Sequence, residues 1–428
     1  MRDTYKTVLS LLERYEEDGR YLNLSVPEDV EDKAYLTALL YSVVEHKLTL
    51  DYHISTLAGR SDLDLHTRNL LRLGLCRLLY FSVPAHAVVN GTVSLAKNKG
   101  EAGFVNAVLR RAASSPESLT LPDRAKNPVR YLSLRYSVPP ATVRVLRDSL
   151  GSLEEAEQFL SATSQRAPTC LTVNGARTTR FDLVNLLREA GYEAEPSPFS
   201  TYGVTVRGSV PVPRLPGFEE GLFFVQDEAA LLSVEALSPK EGQLVIDVCA
   251  APGGKTFAAL SHMGGQGRAV ALELHESKLS LIRDGARRLG FSVDARAHDS
   301  TLPIPELVGQ ADYVICDVPC SGLGVLAKKP DLRYKSVDTF SALPDLQNRL
   351  LETAFSYLKV GGRLVYSTCT VRPEENGEVI GAFLSTHREA RSVSASAGTL
   401  TVPETGLTLL PHVHHTDGFF VAVLERIA

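Results

Sequence analysis

The second half of the chain alternates between two kinds of segment. From residue 221 onward, apolar and β-branched runs occur between segments with helical apolar spacing; the runs are QLVIDVC, RAVALEL, VDARAHD, DYVICDV, GRLVYST and FFVAVLE. Helices between successive strands are typical of a mostly parallel sheet covered on both faces. Such sheets bind ligands beyond the carboxyl ends of their strands. That edge is therefore where we expect a functional site.

One helical segment illustrates the spacing. In LQNRLLETAFSYL, apolar residues four positions apart are expected to share one helix face: Leu346, Leu350, Ala354 and Leu358.

The first half of the chain has a different texture. Residues 1–115 carry apolar residues at three- and four-residue spacing and are predicted to be helical throughout. The polar, proline-rich stretch SSPESLTLPDRAKNP reads as a linker, and short helices mixed with strands follow it. We therefore predict three domains, at 1–125, 126–220 and 221–428. No secretion signal and no apolar run of about 18 residues is present, so we expect a cytoplasmic protein that does not enter a membrane.

The cysteines do not form a disulfide framework or a zinc site. There are 6 in 428 residues, without a Cys-x-x-Cys pair. Four are read as small buried hydrophobic residues: Cys76, Cys170, Cys249 and Cys316. The other two, Cys320 and Cys369, each follow the end of a predicted strand. The HVHH segment lacks a matched acid cluster, so no metal is predicted.

A glycine loop follows the first strand of this half. VIDVCAAPGGKT reads as a strand, a turn of small residues and a helix start. Gly253 and Gly254 let the backbone approach a ligand, and a helix N-terminus favours a negative group. The phosphate-loop motif fails because Cys249 stands where its first glycine is needed, and the dinucleotide fingerprint is absent.

Acids stand at the ends of the next three strands. Glu273, Asp299 and Asp317 occupy these positions. Each could merely cap a helix, but as an ordered set they resemble the adenosyl pocket of S-adenosylmethionine-dependent methyltransferases. The predicted cofactor-binding residues are Cys249, Ala250, Ala251, Pro252, Gly253, Gly254, Lys255, Glu273, Asp299 and Asp317.

The charge distribution is uneven. A net charge of −5 argues against a generic nucleic-acid binder. Residues 71–112, however, have Glu101 as their sole acid against six basic residues: Arg72, Arg77, Lys97, Lys99, Arg110 and Arg111. These residues form either a phosphate-binding face or an ordinary solvated surface.

Several motifs together resemble the RNA 5-methylcytosine methyltransferases. They are CAAPGGKT, DVPCSGLGV, KKPDLRY, LVYSTCTVRPEEN and DGFFVAVLE, and their order is similar to that of the bacterial 16S rRNA methyltransferase B group (RsmB, Sun or Fmu). LLRLGLCRLLYFSVPAHAVVNGTVSLAK and FVNAVLRRA resemble that group's NusB-like domain. The resemblance covers nearly the whole chain. It implies an all-α NusB-like bundle, a small mixed α/β middle domain and a Rossmann-like S-adenosylmethionine-dependent methyltransferase domain.

The resemblance also implies a chemistry for the two strand-end cysteines. C5 of cytosine is a poor nucleophile until a thiolate adds to C6. After methylation, a second group must help to release the enzyme. Chemistry alone leaves the order of the cysteines open; the family implies that Cys369 attacks and Cys320 releases. An acid beside N3 of the base would stabilise the adduct, and Asp317 is the candidate. In KKPDLRY and the residue after it, phosphate contacts are expected from the basic residues Lys328, Lys329, Arg333 and Lys335. The alternative is an ordinary solvated loop.

We expect the partner to be RNA, with small-subunit rRNA as the first choice, and the cofactor to be S-adenosylmethionine. The protein itself is expected to be a monomer that binds no DNA. The alternatives are the same chemistry on tRNA or another RNA, and a non-catalytic assembly factor built on the NusB-like domain.

Overall fold

The chain forms two compact units. The computed structural model describes residues 2–18, 26, 32–115, 117, 119–165, 168–208 and 210–428. The first unit comprises Met1–Ser164 and Lys328–Val337, and the second comprises Gln165–Ala327 and Asp338–Ala428. The chain thus leaves the second unit after Ala327, contributes one short segment to the first, and returns. The three-domain division at 125 and 220 stays a prediction.

The first unit is helical, as predicted for its N-terminal part. Its described helices are α1 (Arg2–Asp18), α2 (Lys33–Glu45), α3 (Lys47–Ala58), α4 (Leu65–Tyr80), α5 (Ala85–Val93), α6 (Lys99–Ser114), α7 (Pro128–Arg135), α8 (Pro140–Leu150) and α9 (Leu153–Thr163). The side chains of Asp64 and Asn98 cap α4 and α6 by accepting hydrogen bonds from backbone N–H groups. The predicted linker lies between α6 and α7. Parts of the predicted helical region, 19–25 and 27–31, lie outside the described residues.

Two of the six basic residues between 71 and 112 lie inside the helical unit. Arg72 is 2% exposed and donates to Asp51 and Glu16, each at 2.6 Å. Arg77 is equally buried, and it donates to the Tyr5 hydroxyl at 2.8 Å. Their inclusion in a phosphate-binding face was therefore wrong, because both guanidinium groups are buried and bind side chains of the same unit. The other four are exposed: Lys97, Lys99, Arg110 and Arg111.

The KKPDLRY segment packs within the first unit. Arg333 is 1% exposed. Its guanidinium donates to the carbonyl oxygens of Tyr136 at 2.8 Å and Thr163 at 3.1 Å, and to Glu45 at 3.3 Å. The expected phosphate contact is wrong for Arg333, because a buried guanidinium that already has a carboxylate and two carbonyl acceptors cannot lie on an RNA-binding surface.

The second unit begins with a small antiparallel sheet. Its strands are β1 (Thr169–Val173), β2 (Ala194–Pro196), β3 (Gly203–Val206) and β4 (Phe223–Val225), in the order β2-β3-β1-β4. Helix α10 (Arg180–Glu189) packs on it through Leu183 and Leu187, which are fully buried with Phe223. This is the small mixed α/β arrangement that the sequence predicts.

A larger sheet dominates the second unit. The remaining strands are β5 (Leu244–Asp247), β6 (Arg268–Glu273), β7 (Val293–Ala297), β8 (Ala311–Asp317), β9 (Leu358–Thr368), β10 (Ala390–Ser392), β11 (Ala395–Ala397), β12 (Leu400–Val402), β13 (Leu407–Leu409) and β14 (Phe419–Arg426). The order is β10-β14-β9-β8-β5-β6-β7, with β13 also on β14 and β11 paired with β12. Strands β5 to β9 run parallel, and β14 is antiparallel to β9.

Helices cover this sheet, and the Rossmann-like prediction is confirmed. The helices are α11 (Glu228–Leu237), α12 (Gly254–His262), α13 (Leu279–Leu289), α14 (Leu343–Ser356), α15 (Gly377–Thr386) and α16 (Pro411–His414). Leu350 and Ala354 of α14 are buried, as its spacing predicts. Leu358 does not belong to that helix face, because it begins β9 and pairs with Ala311. Among the described helices, none is both long enough and apolar enough to cross a membrane.

Candidate active site

Parallel strands bring the singled-out residues to one edge of the larger sheet. The adjacent strands β6, β5, β8 and β9 run in the same direction. Their last residues are Glu273, Asp247, Asp317 and Thr368. Because the carboxyl ends of parallel neighbours lie together, these strand ends form a continuous rim. All of it belongs to the second unit.

The glycine loop joins β5 to α12 at this rim. Ala250 N–H bonds to the carbonyl of Leu272 on the neighbouring strand at 3.0 Å. Gly253 has a φ of 110°, a left-handed conformation that favours glycine. A Cβ placed on Gly253 would lie 2.4 Å from the ring of Phe257. The loop thus needs glycine for both its backbone and its packing.

The start of α12 presents N–H groups at this loop. The N–H of Phe257 makes the helical bond to the carbonyl of Gly253, at 2.8 Å. The N–H groups at 254, 255 and 256 therefore precede the first intrahelical hydrogen bond. Such groups, together with the helix dipole, favour an anion.

Asp247 binds both ends of the glycine loop and was not among the site residues predicted from the sequence. Its carboxylate accepts from the Thr256 hydroxyl at 2.7 Å and from Cys249 N–H at 3.3 Å. Asp247 is 1% exposed, and burial raises the pKa of its carboxyl to about 6, against the hydrogen bond from Thr256. An acid closing the first apolar strand of the sheet was the available signal.

The three predicted acids occupy different environments. Glu273 is 7% exposed and accepts from His275 N–H at 3.1 Å, with Lys278 Nζ 3.4 Å away. Asp299 is exposed instead, and its carboxylate accepts from the N–H and hydroxyl of Thr301. These two hydrogen bonds lower the pKa of Asp299. Each acid therefore accepts hydrogen bonds from the turn that follows it, and the two differ in that Glu273 is buried and Asp299 is exposed.

Cys249 lies on the loop among the acids. Burial raises the pKa of its thiol, and the negative charges of Asp247, Asp317 and Glu273 raise it further. Cys249 therefore stays a neutral thiol.

Asp317 is held between two side chains. Its Oδ1 accepts from the Ser367 hydroxyl and its Oδ2 from Lys255 Nζ, both at 2.7 Å. Burial disfavours the charged ammonium of Lys255, but the charge of Asp317 outweighs this and raises the Lys255 pKa. The pair therefore links the cofactor loop to the end of β9.

The two strand-end cysteines meet. Their Sγ atoms lie 3.1 Å apart, although 49 positions separate the residues in the chain. The hydrogen bond with Cys369 raises the pKa of Cys320 well above its usual range, and burial adds to this. The ammonium of Lys255 interacts electrostatically with Cys369. One thiol is thus held protonated beside a second that has a nearby positive charge.

A buried carboxylate that the sequence analysis did not single out supports both cysteine loops. Glu375 is 0% exposed. Its Oε2 accepts from Ser321 N–H at 2.8 Å and from Gln347 Nε2 at 3.0 Å, and its Oε1 accepts from Arg372 at 3.0 Å. Gln347 also donates to the carbonyl of Pro319, just before Cys320. The loop after β9 is thereby tied to the loop after β8.

Three family models match separate parts of the chain. The model described as 16S rRNA methyltransferase RsmB/F matches residues 234–425, and the NusB family matches residues 2–114. The ferredoxin-like domain of RsmF/B-like methyltransferases matches residues 139–213.

Individual relatives match over most of their length. A Synechocystis sp. protein named "Probable ribosomal RNA small subunit methyltransferase B" is 36% identical over 94% of this chain and 92% of its own. "Ribosomal RNA small subunit methyltransferase B" of Klebsiella pneumoniae is 34% identical over 92% and 90%. A solved structure of a methyltransferase homologue from Pyrococcus horikoshii is 30% identical, with a TM-score of 0.62 over 70% of this chain and 99% of that one.

Proposed function

Because the chain belongs to the RsmB/F family of 16S rRNA methyltransferases, we propose that it methylates C5 of a cytosine in small-subunit rRNA. The methyl donor in this proposal is S-adenosylmethionine. The observation that carries the proposal is the 3.1 Å separation of the Cys320 and Cys369 sulfurs beside Asp317. We further infer that the protein acts in the cytoplasm as a monomer.

The rim fits a cofactor of this kind. The loop from Cys249 to Lys255 turns at Gly253, and α12 presents its first N–H groups there. Glu273 ends β6, where a carboxylate can accept from both ribose hydroxyls. When bound, S-adenosylmethionine supplies an electrophilic methyl group. The assigned binding residues are Cys249, Ala250, Ala251, Pro252, Gly253, Gly254, Lys255, Glu273, Asp299 and Asp317.

Two thiols suit the chemistry of cytosine C5. The thiolate of Cys369 adds to C6, and the electron pair of the C5–C6 double bond then makes C5 nucleophilic. C5 would then take the methyl group, the bond from that group to the donor's sulfonium sulfur would break with its electrons staying on the sulfur as a neutral thioether, and C5 would hold the methyl group together with its original hydrogen. A base removes that proton, the double bond re-forms, and the sulfur of Cys369 leaves with the electrons of the C6–S bond.

The surroundings of the cysteines favour this division of roles. The hydrogen bond with Cys369 and burial raise the pKa of Cys320, and a sulfur with a raised pKa holds a proton tightly once it has accepted one. Cys369 interacts electrostatically with the ammonium of Lys255, and the resemblance to the family assigns the attack on C6 to Cys369. Asp317, fixed by Lys255 and Ser367, is assigned to the N3 edge of the base. The base must be unpaired or flipped out to reach these groups.

Single cysteine variants test the proposal. Cys369→Ala should be inactive and should form no covalent bond to RNA, because the attack on C6 is lost. Cys320→Ala should attack and methylate but release slowly, so a protein–RNA adduct should survive denaturing electrophoresis. Cys170→Ala, in the small sheet, is the control and should behave as wild type. Adducts from Cys369→Ala alone would exchange the roles, and full activity in both variants would refute the mechanism.

Bisulfite sequencing tests the substrate. RNA from cells lacking the gene should lose a 5-methylcytosine signal in small-subunit rRNA. Loss confined to tRNA would move the substrate while keeping the chemistry. An unchanged pattern in all RNA would contradict a methyltransferase role.

A further inference from the structure

One buried side chain near the cofactor loop has no hydrogen-bond partner within the protein. Gln226 lies between β4 and α11 and is 8% exposed. Among the residues that the structure describes, none makes a hydrogen bond with its Nε2 or with its Oε1. A primary amide offers two donors and one double acceptor, and buried polar groups are nearly always paired. An amide unpaired at both ends indicates a missing partner.

The position of Gln226 points to the cofactor loop. Its Oε1 and Cδ would lie 3.5 Å from a Cβ placed on Gly254, the first residue of α12. The amide thus lies against the turn of helix whose N–H groups precede the first intrahelical bond. Its backbone is fixed on both sides, since Gln226 N–H bonds to Cys170 O at 3.2 Å and Asp227 caps α11. The side chain is therefore held at the loop.

We propose that Gln226 binds the amino-acid end of the methyl donor; this inference rests on the proposed function. That end carries a carboxylate and an ammonium on one carbon. The N–H groups of α12 favour the carboxylate, and an amide beside them can donate to the carboxylate through Nε2 and accept from the ammonium through Oε1. The proposed function assigns the ribose to Glu273 at the end of β6. Gln226 therefore recognises the amino-acid end and not the nucleoside.

Two ligands that differ in this end give a direct test. S-Adenosylhomocysteine carries the amino-acid end, and 5′-methylthioadenosine lacks it. The variant Gln226→Leu keeps the side-chain volume and removes both hydrogen-bonding ends. In calorimetric titrations of the full-length protein, it should bind S-adenosylhomocysteine about tenfold or more weakly, since hydrogen bonds to charged groups are lost. Its affinity for 5′-methylthioadenosine should stay within about twofold of wild type.

The unliganded variant provides an internal check. Removing an unpaired buried amide should leave the melting temperature unchanged or higher, so weaker binding cannot be ascribed to unfolding. Val225→Ala, a neighbouring residue that is 53% exposed, is the matched control and should bind both ligands as wild type does.

Each contrary result has a distinct meaning. Unchanged binding of S-adenosylhomocysteine by Gln226→Leu would overturn the inference. The unpaired amide would then be assigned to RNA binding instead. An equal loss for both ligands would also overturn it, because the amide would then act on the nucleoside or on loop shape. If the wild-type protein binds neither ligand, the proposed function itself fails.

Discussion

At the scale of single residues, Asp247 shows how burial changes a carboxyl group that anchors a loop. It is 1% exposed at the end of β5, and its hydrogen bonds from Thr256 and Cys249 hold the two ends of the glycine loop together. Burial disfavours the carboxylate and raises its pKa to about 6 from an ordinary value of 3.8. The loop therefore rests on a group that titrates close to neutral pH.

This shift predicts a pH-dependent stability. A raised folded-state pKa gives Asp247 a stabilising contribution that is full below about pH 4 and is lost as the pH rises through about 6. Asp247→Asn cannot ionise and lacks this term. The free energy of unfolding of wild type relative to Asp247→Asn should fall by about 3 kcal/mol between pH 4 and pH 8, at 1.36 kcal/mol per pKa unit.

Denaturant titrations of both proteins across this pH range measure the difference. Asp345→Asn, at an exposed position in α14, is the control and should follow wild type. A difference that stays flat from pH 4 to pH 8 would contradict the buried, titrating carboxyl.

At the scale of elements, Gly324 joins three segments of the site. It lies in the turn after Cys320, where its N–H donates to the carbonyl of Cys369 at 2.9 Å and its own carbonyl accepts from Gly418 N–H at 2.9 Å. A Cβ on Gly324 would lie 1.7 Å from the carbonyl oxygen of Gly418. The glycines in the cysteine turn and in the DGFF segment therefore let backbones approach where no side chain fits.

We expect Gly324→Ala to separate these segments. The added methyl group meets backbone rather than a movable side chain, so the free energy of unfolding should fall by roughly 2 kcal/mol or more. Adduct formation with RNA should fall at least as steeply, because the two cysteines would move apart.

Gly381→Ala is the matched control for this prediction. Gly381 lies in α15 with nothing within 4 Å of an added Cβ, and alanine is the better helix former by roughly 0.5–1 kcal/mol. That variant should be equally or more stable and fully active. Wild-type adduct yield from Gly324→Ala would refute the role of the close approach.

At the scale of the whole molecule, the structure separates basic residues of similar sequence context into two groups. Arg72 and Arg77 belong to the interior of the helical unit, where Arg72 binds Asp51 and Arg77 binds the Tyr5 hydroxyl. Lys97, Lys99 and Arg110, with Arg111, remain on its surface. The four exposed residues can contact phosphates, whereas Arg72 and Arg77 contribute only to the stability of the fold.

Salt dependence distinguishes the two groups. Replacing the four exposed residues by glutamine should weaken RNA binding and reduce the slope of log affinity against log salt by about three, at roughly 0.7–0.9 per phosphate contact. Turnover at saturating RNA should change little.

The contrasting variant is Arg72→Leu. It removes the partner of Asp51 and Glu16 and should cost about 3–5 kcal/mol of stability. For the protein that still folds, the slope of log RNA affinity against log salt should match wild type. An unchanged slope in the four-residue variant would return these residues to an ordinary solvated surface.

The sequence by itself determined the features that depend on local spacing. The alternation of apolar, β-branched runs with helical segments predicted the strands of the parallel sheet. The order of these strands along the chain placed Glu273, Asp317 and Cys369 at strand ends that must share an edge. The glycine loop could also be identified, since its small residues follow one another. The helix face containing Leu358 was wrong at its last position, because pairing with β8 overrides helical spacing.

Only the tertiary structure decided which distant groups meet and which are buried. The contact of Cys320 with Cys369 spans 49 positions. Glu375 lies within the motif LVYSTCTVRPEEN, but only the fold shows that its carboxylate is buried and bonded to both loops. Arg333 reads as a surface cation in its own segment, yet the helices around it bury it completely. Gln226 is ordinary in sequence and becomes informative only because its surroundings leave its amide unpaired. Burial and pairing arise from contacts between remote parts of the chain, so local spacing cannot specify them.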